Sequence, residues 1–261
     1  KDTVFLLCDI CSDLNKHKEA SEHLEKLAEL SPGYSGDITG WIENRENILQ
    51  TAPARKLLAV LNMREGEYQV ARDHFSAAAE MDPELTPDLI RLINQRIDRE
   101  GKEVVLTKIL VDLYTRTGES EKAHSLLQEL KQEETLSGSE AMEMTTRVIE
   151  SCGATVENIV SAVEFSAEND ESGEIVPHLV EFCRANPEKQ EKLAGELKKL
   201  ASSDKNFFSL IAEILGEAGR EAELSEPLKY LHAISLLNSG EIEKGVFAFD
   251  QLMMFNDGIK Y

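Results

Sequence analysis

Two cysteines and two histidines lie close together near the start of the sequence, and these residue types can bind zinc. Cys8 and Cys11 are three residues apart, and His17 and His23 follow them. A zinc finger with two cysteines and two histidines needs about twelve residues between its last cysteine and its first histidine. Only five residues separate Cys11 from His17. We therefore predict buried structural thiols on one helix face, and no metal site.

Sequence motifs of common catalytic sites are missing. The chain has no G-x-S-x-G, no phosphate-binding glycine-rich loop and no H-E-x-x-H. Its six histidines are spread along the sequence, and its carboxylates are too numerous to single out a pair. We expect a protein that is not an enzyme and that uses no cofactor.

The composition predicts an all-α chain. Leu, Ala, Glu and Lys occur throughout, alternating β-branched runs are missing, and the seven prolines and fifteen glycines recur at helix-like spacing. No run of 18 apolar residues is present, so we expect no membrane insertion. Four cysteines are too few for a disulfide scaffold and favour a cytoplasmic location. Because the chain begins at Lys1 without a Met, we expect a fragment of a longer protein.

The net charge of −21 limits the classes of partner. Such a field repels phosphate backbones and anionic membranes, which disfavours nucleic-acid binding. Solubility of exposed helix faces explains most of the acidity, but the charge also attracts a basic partner. From Val148 to Cys183 no Lys or Arg occurs, and the acidic residues there are Glu150, Glu157, Glu164, Glu168, Asp170, Glu171, Glu174 and Glu181.

A pattern of leucine, small residues, glycine and proline recurs along the chain. The fullest copy, Leu58 to Pro83, reads LAVLNMREGEYQVARDHFSAAAEMDP. It resembles a tetratricopeptide repeat, a helical hairpin packed through small residues (here Ala59 and Ala71) and turned at a glycine (here Gly66). Looser copies place matching residues at Leu7, Cys8, Cys11, Ala20, Leu24, Leu27 and Pro32, at Leu110, Tyr114, Gly118, Ala123, Leu127 and Leu130, and at Ala233, Leu236, Gly240, Gly245, Phe249 and Leu252.

The spacing of the copies leaves room for one additional helix in each step. Ala20, Ala71 and Ala123 are 51 and 52 residues apart, against the 34 residues of this repeat family. The additional helices are predicted at Trp41–Gln50, Asp88–Glu100, Ser139–Cys152 and Glu188–Ala201. We predict loops at Ser31–Gly40 and Glu168–Gly173. The fold class is thus an α-α superhelix, a tetratricopeptide-like solenoid with extra helices between the hairpins, forming one domain over residues 1–261.

The resemblance also implies a binding surface, because partner peptides of this family lie in the groove lined by the first helix of each repeat. The positions carried over are Lys56, Val60, Met63 and Arg64 in one copy and Lys108, Asp112, Thr115 and Arg116 in the next. Lys and Arg thus recur at two offsets, eight residues apart, on one helix face. This basic stripe either binds an acidic side chain or a C-terminal carboxylate, or forms ordinary ion pairs with nearby Glu.

Three functions follow from these features. The first is a protein-protein interaction scaffold that binds a peptide or a folded protein on its repeat surface. The second is RNA binding, since Val104–Lys131 also resembles a pentatricopeptide repeat, but the irregular spacing and the negative charge disfavour it. The third is a regulatory or oligomerisation domain of a larger enzyme or assembly, with self-association through the Met-rich end, Leu252-Met253-Met254-Phe255.

Overall fold

The computed structural model describes residues 2–167 and 172–257, with the backbone alone for residue 172 and residues 254–257. Sixteen α-helices and no strand occur in these ranges, and the helices recur in groups of three. The first helices of the groups are α1 (Asp2–Asp13), α5 (Ala52–Glu65), α8 (Val104–Arg116), α11 (Val156–Ser166) and α14 (Asn206–Glu221). The second helices are α2 (His17–Leu30), α6 (Tyr68–Met81), α9 (Ser120–Gln132), α12 (Ser172–Ala185) and α15 (Glu226–Asn238). The third helices are α3 (Ser35–Glu43) with the short α4 (Glu46–Leu49), α7 (Thr86–Glu100), α10 (Gly138–Cys152), α13 (Gln190–Ser203) and α16 (Ile242–Asp257).

The helix starts reveal the length of the repeat. First helices begin at residues 2, 52, 104, 156 and 206, second helices at 17, 68, 120, 172 and 226, and third helices at 35, 86, 138, 190 and 242, so the steps are 50–54 residues and most often 52. In the first four groups the predicted extra helix is the third helix, whereas α16 of the last group belongs to the predicted hairpin with α15. These observations confirm an all-α, tetratricopeptide-like repeat fold with additional helices between the hairpins.

The turn between the first and second helices is built in the same way in three repeats. Asn15, Gly66 and Gly118 occupy corresponding positions, and all have positive φ (56°, 83° and 74°). The amide that follows each of them donates to a carbonyl five residues back, with N···O distances of 2.8–2.9 Å. This is a Schellman cap, which satisfies the last carbonyls of the first helix. The turn predicted at Gly66 is confirmed, and its glycine is left-handed.

The second helices provide the core through three positions of the repeat. The first position is Ala20, Ala71, Ala123 or Ile175, and the small alanine in the first three repeats lets the hairpin close. The second is Leu24, Phe75, Leu127 or Leu179, and the third is Leu27, Ala78, Leu130 or Phe182. All twelve side chains are buried. Burying large apolar side chains at fixed offsets is the main stabilising term of such a stack.

Two of the predicted boundaries are wrong. Ser31–Gly40 is not a loop, because a 3-10 turn at Pro32–Tyr34 leads directly into α3. The buried residues Ile38, Trp41 and Ile42 have helical spacing and outweigh the Gly and Ser content of the segment. The helix predicted over Trp41–Gln50 is broken, because α3 ends at Glu43 and α4 begins at Glu46.

The other extra helices were predicted within two residues of their observed ends. They are α7, α10 and α13. Of the loop predicted at Glu168–Gly173, residues 168–171 lie outside the described residues, while Gly173 lies in α12.

Two compact units make up the chain, one ending at Leu126 and the other starting at Leu127. In the N-terminal unit, two clusters hold the core, one around Leu24, Ile38 and Leu58 and the other around Phe75, Ile93 and Leu110. In the C-terminal unit, one cluster extends from α10 to α15. The single repeat domain over residues 1–261 stays a prediction. No described helix has both the length and the apolar content required to cross a membrane.

Candidate functional site

The predicted basic stripe lies where successive repeats of the N-terminal unit meet. In α5, Lys56 Nζ is 3.3 Å from Glu25 Oε1 of α2. Further along α5, Arg64 Nη1 donates to the Ala28 carbonyl of the same α2 helix at 3.4 Å. Both side chains of the stripe therefore join their helix to the second helix of the preceding repeat.

The next repeat shows the same arrangement. Arg116 Nη2 of α8 lies 2.7 Å from Glu80 Oε1 of α6. Asp112 Oδ2 accepts from Arg72 Nη2 at 3.1 Å, also across α8 and α6. Lys108 is half-buried and also takes part in a polar or charged interaction.

The apolar members of the predicted set contribute mainly to the core. Met63 is 4% exposed and belongs to the cluster around Phe75, while Val60 is half-buried. Thr115 is buried, and its hydroxyl donates to the Val111 carbonyl at 2.7 Å. Met63 and Thr115 thus offer no surface to a partner in this conformation. A binding role for Lys56, Arg64, Lys108 and Arg116 stays a prediction.

The paired cysteines are buried, as predicted. Cys8 is fully enclosed, and its Sγ donates to the Ala20 carbonyl at 3.6 Å. Burial, together with Cys11 and Asp9 nearby, raises the pKa of the Cys8 thiol to about 11. Burial likewise raises the pKa of Cys183 to about 11. Both thiols are therefore protonated at neutral pH, and a protonated thiol is a poor nucleophile.

Part of the acidic stretch is also used inside the fold. Lys192 Nζ lies 2.6 Å from Glu157 Oε1, and Lys131 Nζ lies 3.0 Å from Glu164 Oε1. Residues 168, 170 and 171 of that stretch are outside the described residues. The stretch therefore contributes ion pairs between helices, and its remaining described carboxylates, Glu150, Glu174 and Glu181, are exposed.

A groove of about 720 Å³ opens between α14, α15 and α16 in the C-terminal unit. His232 and Leu236 of α15 form its floor, and Gly216 of α14 lies beside the histidine. A Cβ atom at position 216 would come within 3.2 Å of His232 Nε2, so the imidazole needs the space that a glycine leaves. Burial lowers the pKa of His232, and the floor is therefore uncharged at neutral pH.

The walls of this groove carry opposite charges in unequal number. Four carboxylates and two cations line it: Glu213, Glu217, Glu241, Glu243, Arg220 and Lys244. Arg220 Nη1 is 2.9 Å from Glu217 Oε1, and Lys244 is paired with Glu241. These six groups sum to a formal charge of −2. Phe247, on the α16 side, is 63% exposed at the rim.

Comparison with known proteins adds little beyond the fold. The chain matches no protein family model and no curated protein. Among solved structures, it is similar to the C-terminal part of a TPR repeat-containing protein from Cytophaga hutchinsonii, with 13% identity, a TM-score of 0.29, and coverage of 94% of this chain and 98% of that chain. It is also similar to a tetratricopeptide repeat protein from Parabacteroides merdae, with 14% identity, a TM-score of 0.25, and coverage of 97% and 92%.

The fold is tetratricopeptide-like. The evidence for this fold is in the hairpins of the chain itself, where Ala59, Ala71 and Phe75 are buried and Gly66 is left-handed. The last predicted hairpin is also present, since α16 packs mainly against α15 and Gly245 meets Leu237 at that contact.

No sequence pattern predicted the groove. Its floor combines Gly216 with His232, and neither residue belongs to a recognisable motif. The one available signal was the glycine in the apolar face of α14, because a glycine inside a helix often marks a close approach. In the Met-rich end, Met253 is 63% exposed, whereas the side chains of Met254 and Phe255 are outside the described residues.

Proposed function

We propose that this chain is a protein-binding helical repeat module, not an enzyme, and that its groove between α14, α15 and α16 binds a protein segment. The segment carries a basic side chain next to an apolar one. The observation behind this proposal is the groove itself, in which excess carboxylates surround an uncharged floor beside an exposed Phe247. A cytoplasmic location belongs to the same proposal.

The chemistry of the groove supports this choice of ligand. A Lys or Arg side chain donates charge-assisted hydrogen bonds to the carboxylates that line the groove, and an apolar neighbour covers Phe247. An acidic segment meets repulsion from the groove and from the whole chain, whose net charge is −21. The same charge argues against nucleic acid as the ligand.

Selection from a random peptide library tests this proposal, because the enriched peptides themselves reveal the preferred ligand. The immobilised chain is expected to enrich peptides that contain Lys or Arg next to Leu or Phe. A Glu213→Lys/Glu217→Lys variant is expected to lose this enrichment. Glu188→Lys/Glu191→Lys makes the same charge change on exposed residues outside the groove, and it should leave the enrichment intact. Acidic consensus peptides, or equal enrichment by all three proteins, would show that the groove is not the binding surface.

The basic stripe is the second candidate surface. Its ligand would be an acidic side chain or a C-terminal carboxylate, in contrast to the basic ligand of the groove. The Lys56→Glu/Arg116→Glu variant distinguishes the two surfaces. If acidic peptides are enriched by the wild type and lost with this variant, the stripe is the site and the groove is not.

A further inference from the structure

The outer face of α1 exposes large apolar side chains that have buried counterparts in the next two repeats. Leu6, Leu7 and Ile10 are 61%, 40% and 48% exposed. The corresponding residues of α5 are Leu57, Leu58 and Leu61, and those of α8 are Ile109, Leu110 and Leu113. All six are at most 3% exposed. The same repeat position is therefore open in the first repeat and closed in the second and third.

What closes this position inside the N-terminal unit is a set of helices of the preceding repeat, since α5 packs against α2, α3 and α4, and α8 packs against α6 and α7. Leu57, Leu58 and Leu61 share a cluster with Leu24 and Leu27 of α2. Ile109, Leu110 and Leu113 share one with the buried residues of α6. The first-repeat face is thus shaped to receive an α-helix that presents apolar side chains, which is a common mode of peptide recognition. It continues with the exposed Leu14, which directly follows α1 and whose amide donates to the Ile10 carbonyl.

The charges on α1 define what kind of helix fits. Asp2, Asp9 and Asp13 lie along one side of the apolar face, and the described part of α1 has no basic residue. Asp9 accepts from Trp41 Nε1 at 3.0 Å and pairs with Arg45, while Asp2 and Asp13 are exposed. Asp13 occupies the repeat position of Arg64 and Arg116, so the sign of the charge at this position is reversed.

This reversal disfavours an occupant helix that carries a carboxylate at the place of Glu80. Arg116 reaches Glu80 on α6, whereas a carboxylate placed in the same way against α1 would face Asp13. A second copy of the chain is also disfavoured, because two molecules with a net charge of −21 repel each other. A cationic partner gains from both the local and the overall charge.

We propose that the open face of α1, formed by Leu6, Leu7, Ile10 and Leu14 and bordered by Asp2 and Asp13, binds a cationic amphipathic α-helix of a partner protein. The apolar face of that helix covers the four apolar side chains. Its Lys or Arg residues pair with the carboxylates at the border. This surface and the groove of the C-terminal unit are formed by different residues, so one can bind a partner even if the other does not.

Binding of a synthetic probe helix tests the proposal. The probe has about 18 residues, or five turns, with Leu on one face and Lys on the other. One twin carries Glu in place of Lys, and a second carries Ser in place of Leu. Fluorescence anisotropy of the labelled probe at several salt concentrations is expected to show binding of the Lys probe, with affinity lower by at least about tenfold for both twins.

Variants of the chain locate the binding. Leu6→Ser/Ile10→Ser is expected to weaken binding of the Lys probe by at least about tenfold without changing the circular dichroism spectrum, because both side chains are exposed. Leu30→Ser, which removes an exposed leucine from α2, is the matched control and should bind like the wild type. Glu213→Lys/Glu217→Lys in the groove should also leave this affinity unchanged.

Two results would overturn the proposal. If Leu6→Ser/Ile10→Ser binds the Lys probe as the wild type does, the attraction is general electrostatics and α1 is not the site. If sedimentation shows that the wild type dimerises and the variant does not, the occupant is a second copy of the chain.

Discussion

The equivalence of repeat positions predicts a large difference between two chemically identical substitutions. Leu57 of α5 is 3% exposed and packs in the core of the N-terminal unit. Leu6 occupies the same repeat position in α1 but is 61% exposed. Replacing a buried leucine by alanine costs about 2.7–5 kcal/mol, from lost transfer free energy and the cavity left behind. Replacing an exposed side chain changes stability by about 0.5 kcal/mol or less.

We therefore expect Leu57→Ala to lower the free energy of unfolding of the N-terminal unit by about 3 kcal/mol and Leu6→Ala to leave it nearly unchanged. The measurement is urea unfolding followed by circular dichroism. With a slope of about 2 kcal/mol per molar urea, the first variant shifts the midpoint by about 1.5 M. Leu58→Ala and Leu7→Ala form a second matched pair at the neighbouring position.

Equal midpoints for Leu57→Ala and Leu6→Ala would refute the reasoning. A large effect of Leu6→Ala would mean that the outer face of α1 is covered in solution, and the proposed binding surface would then be closed to a partner. A small effect of Leu57→Ala would mean that the contact between α5 and α2 contributes little. Repeating the measurement at several protein concentrations separates covering by a second copy from covering within one molecule.

Four further outcomes are expected. Asn15→Gly should retain or slightly raise the melting temperature, whereas Asn15→Val should cost about 1–2 kcal/mol, because position 15 is left-handed. Gln190→Leu should cost about 2–4 kcal/mol in urea unfolding, since the buried amide donates to the Cys183 and Glu223 carbonyls and accepts from Ser225 N. Gly245→Ala should destabilise the C-terminal unit in thermal unfolding, because an added Cβ would lie 2.6 Å from Leu237 Cδ2. His74 should make the N-terminal unit less stable as the pH falls below 6.5, and His74→Gln should reduce that slope in urea unfolding at about pH 7.5 and about pH 5.5.

The sign of the pH effect follows from the surroundings of His74. Burial and the nearby Arg55 lower its pKa below 6.5. Arg55 Nη1 lies 3.1 Å from Nδ1, and since arginine only donates, the neutral imidazole accepts there. Below pH 6.5 the unfolded chain takes up a proton at His74 that the folded chain does not. The free energy of unfolding therefore decreases as the pH falls from 6.5 to the lower pKa of His74 in the folded chain. An identical slope for wild type and His74→Gln would contradict this account.

Sequence periodicity predicted the repeat well because its signals are local. The Schellman turn favours a glycine at Gly66 and Gly118, and the small Ala20, Ala71 and Ala123 occupy the same position in the second helices of successive repeats. Both features therefore recur at fixed offsets in the sequence. Asn15 takes the place of the glycine in the first repeat. Because asparagine also tolerates a left-handed backbone, the turn persists there without the expected residue.

Composition misled the prediction where packing between helices decides the structure. Ser31–Gly40 has the glycines and serines of a loop, but burial of Ile38 and Trp41 draws the segment into a helix. The groove was missed for a similar reason. Its floor depends on how closely α14 approaches α15 at Gly216 and His232, and no sequence offset encodes that distance.

The basic stripe illustrates how a correct periodicity can still leave two interpretations open. Lys56 and Arg64 do share one helix face, as their spacing of eight residues requires. A third helix in each repeat changes which face meets the neighbouring repeat, and the face carrying these residues meets α2. The sequence offsets correctly identified residues that share a helix face. Which neighbouring helix that face contacts depends on the packing of whole repeats.

The reversed charge at Asp13 provides a last prediction, because it separates the effect of sign from the effect of shape. Asp13→Arg places in α1 the side chain that α5 and α8 have at this position, Arg64 and Arg116, and leaves the apolar face unchanged. We expect the variant to bind the Lys probe more weakly and the Glu twin more strongly than the wild type, in fluorescence anisotropy at low salt. Glu22→Arg, the same change on an exposed residue of α2, is the control for overall charge. If both variants shift the two affinities equally, the border of the α1 face has no specific role, and net charge alone governs binding.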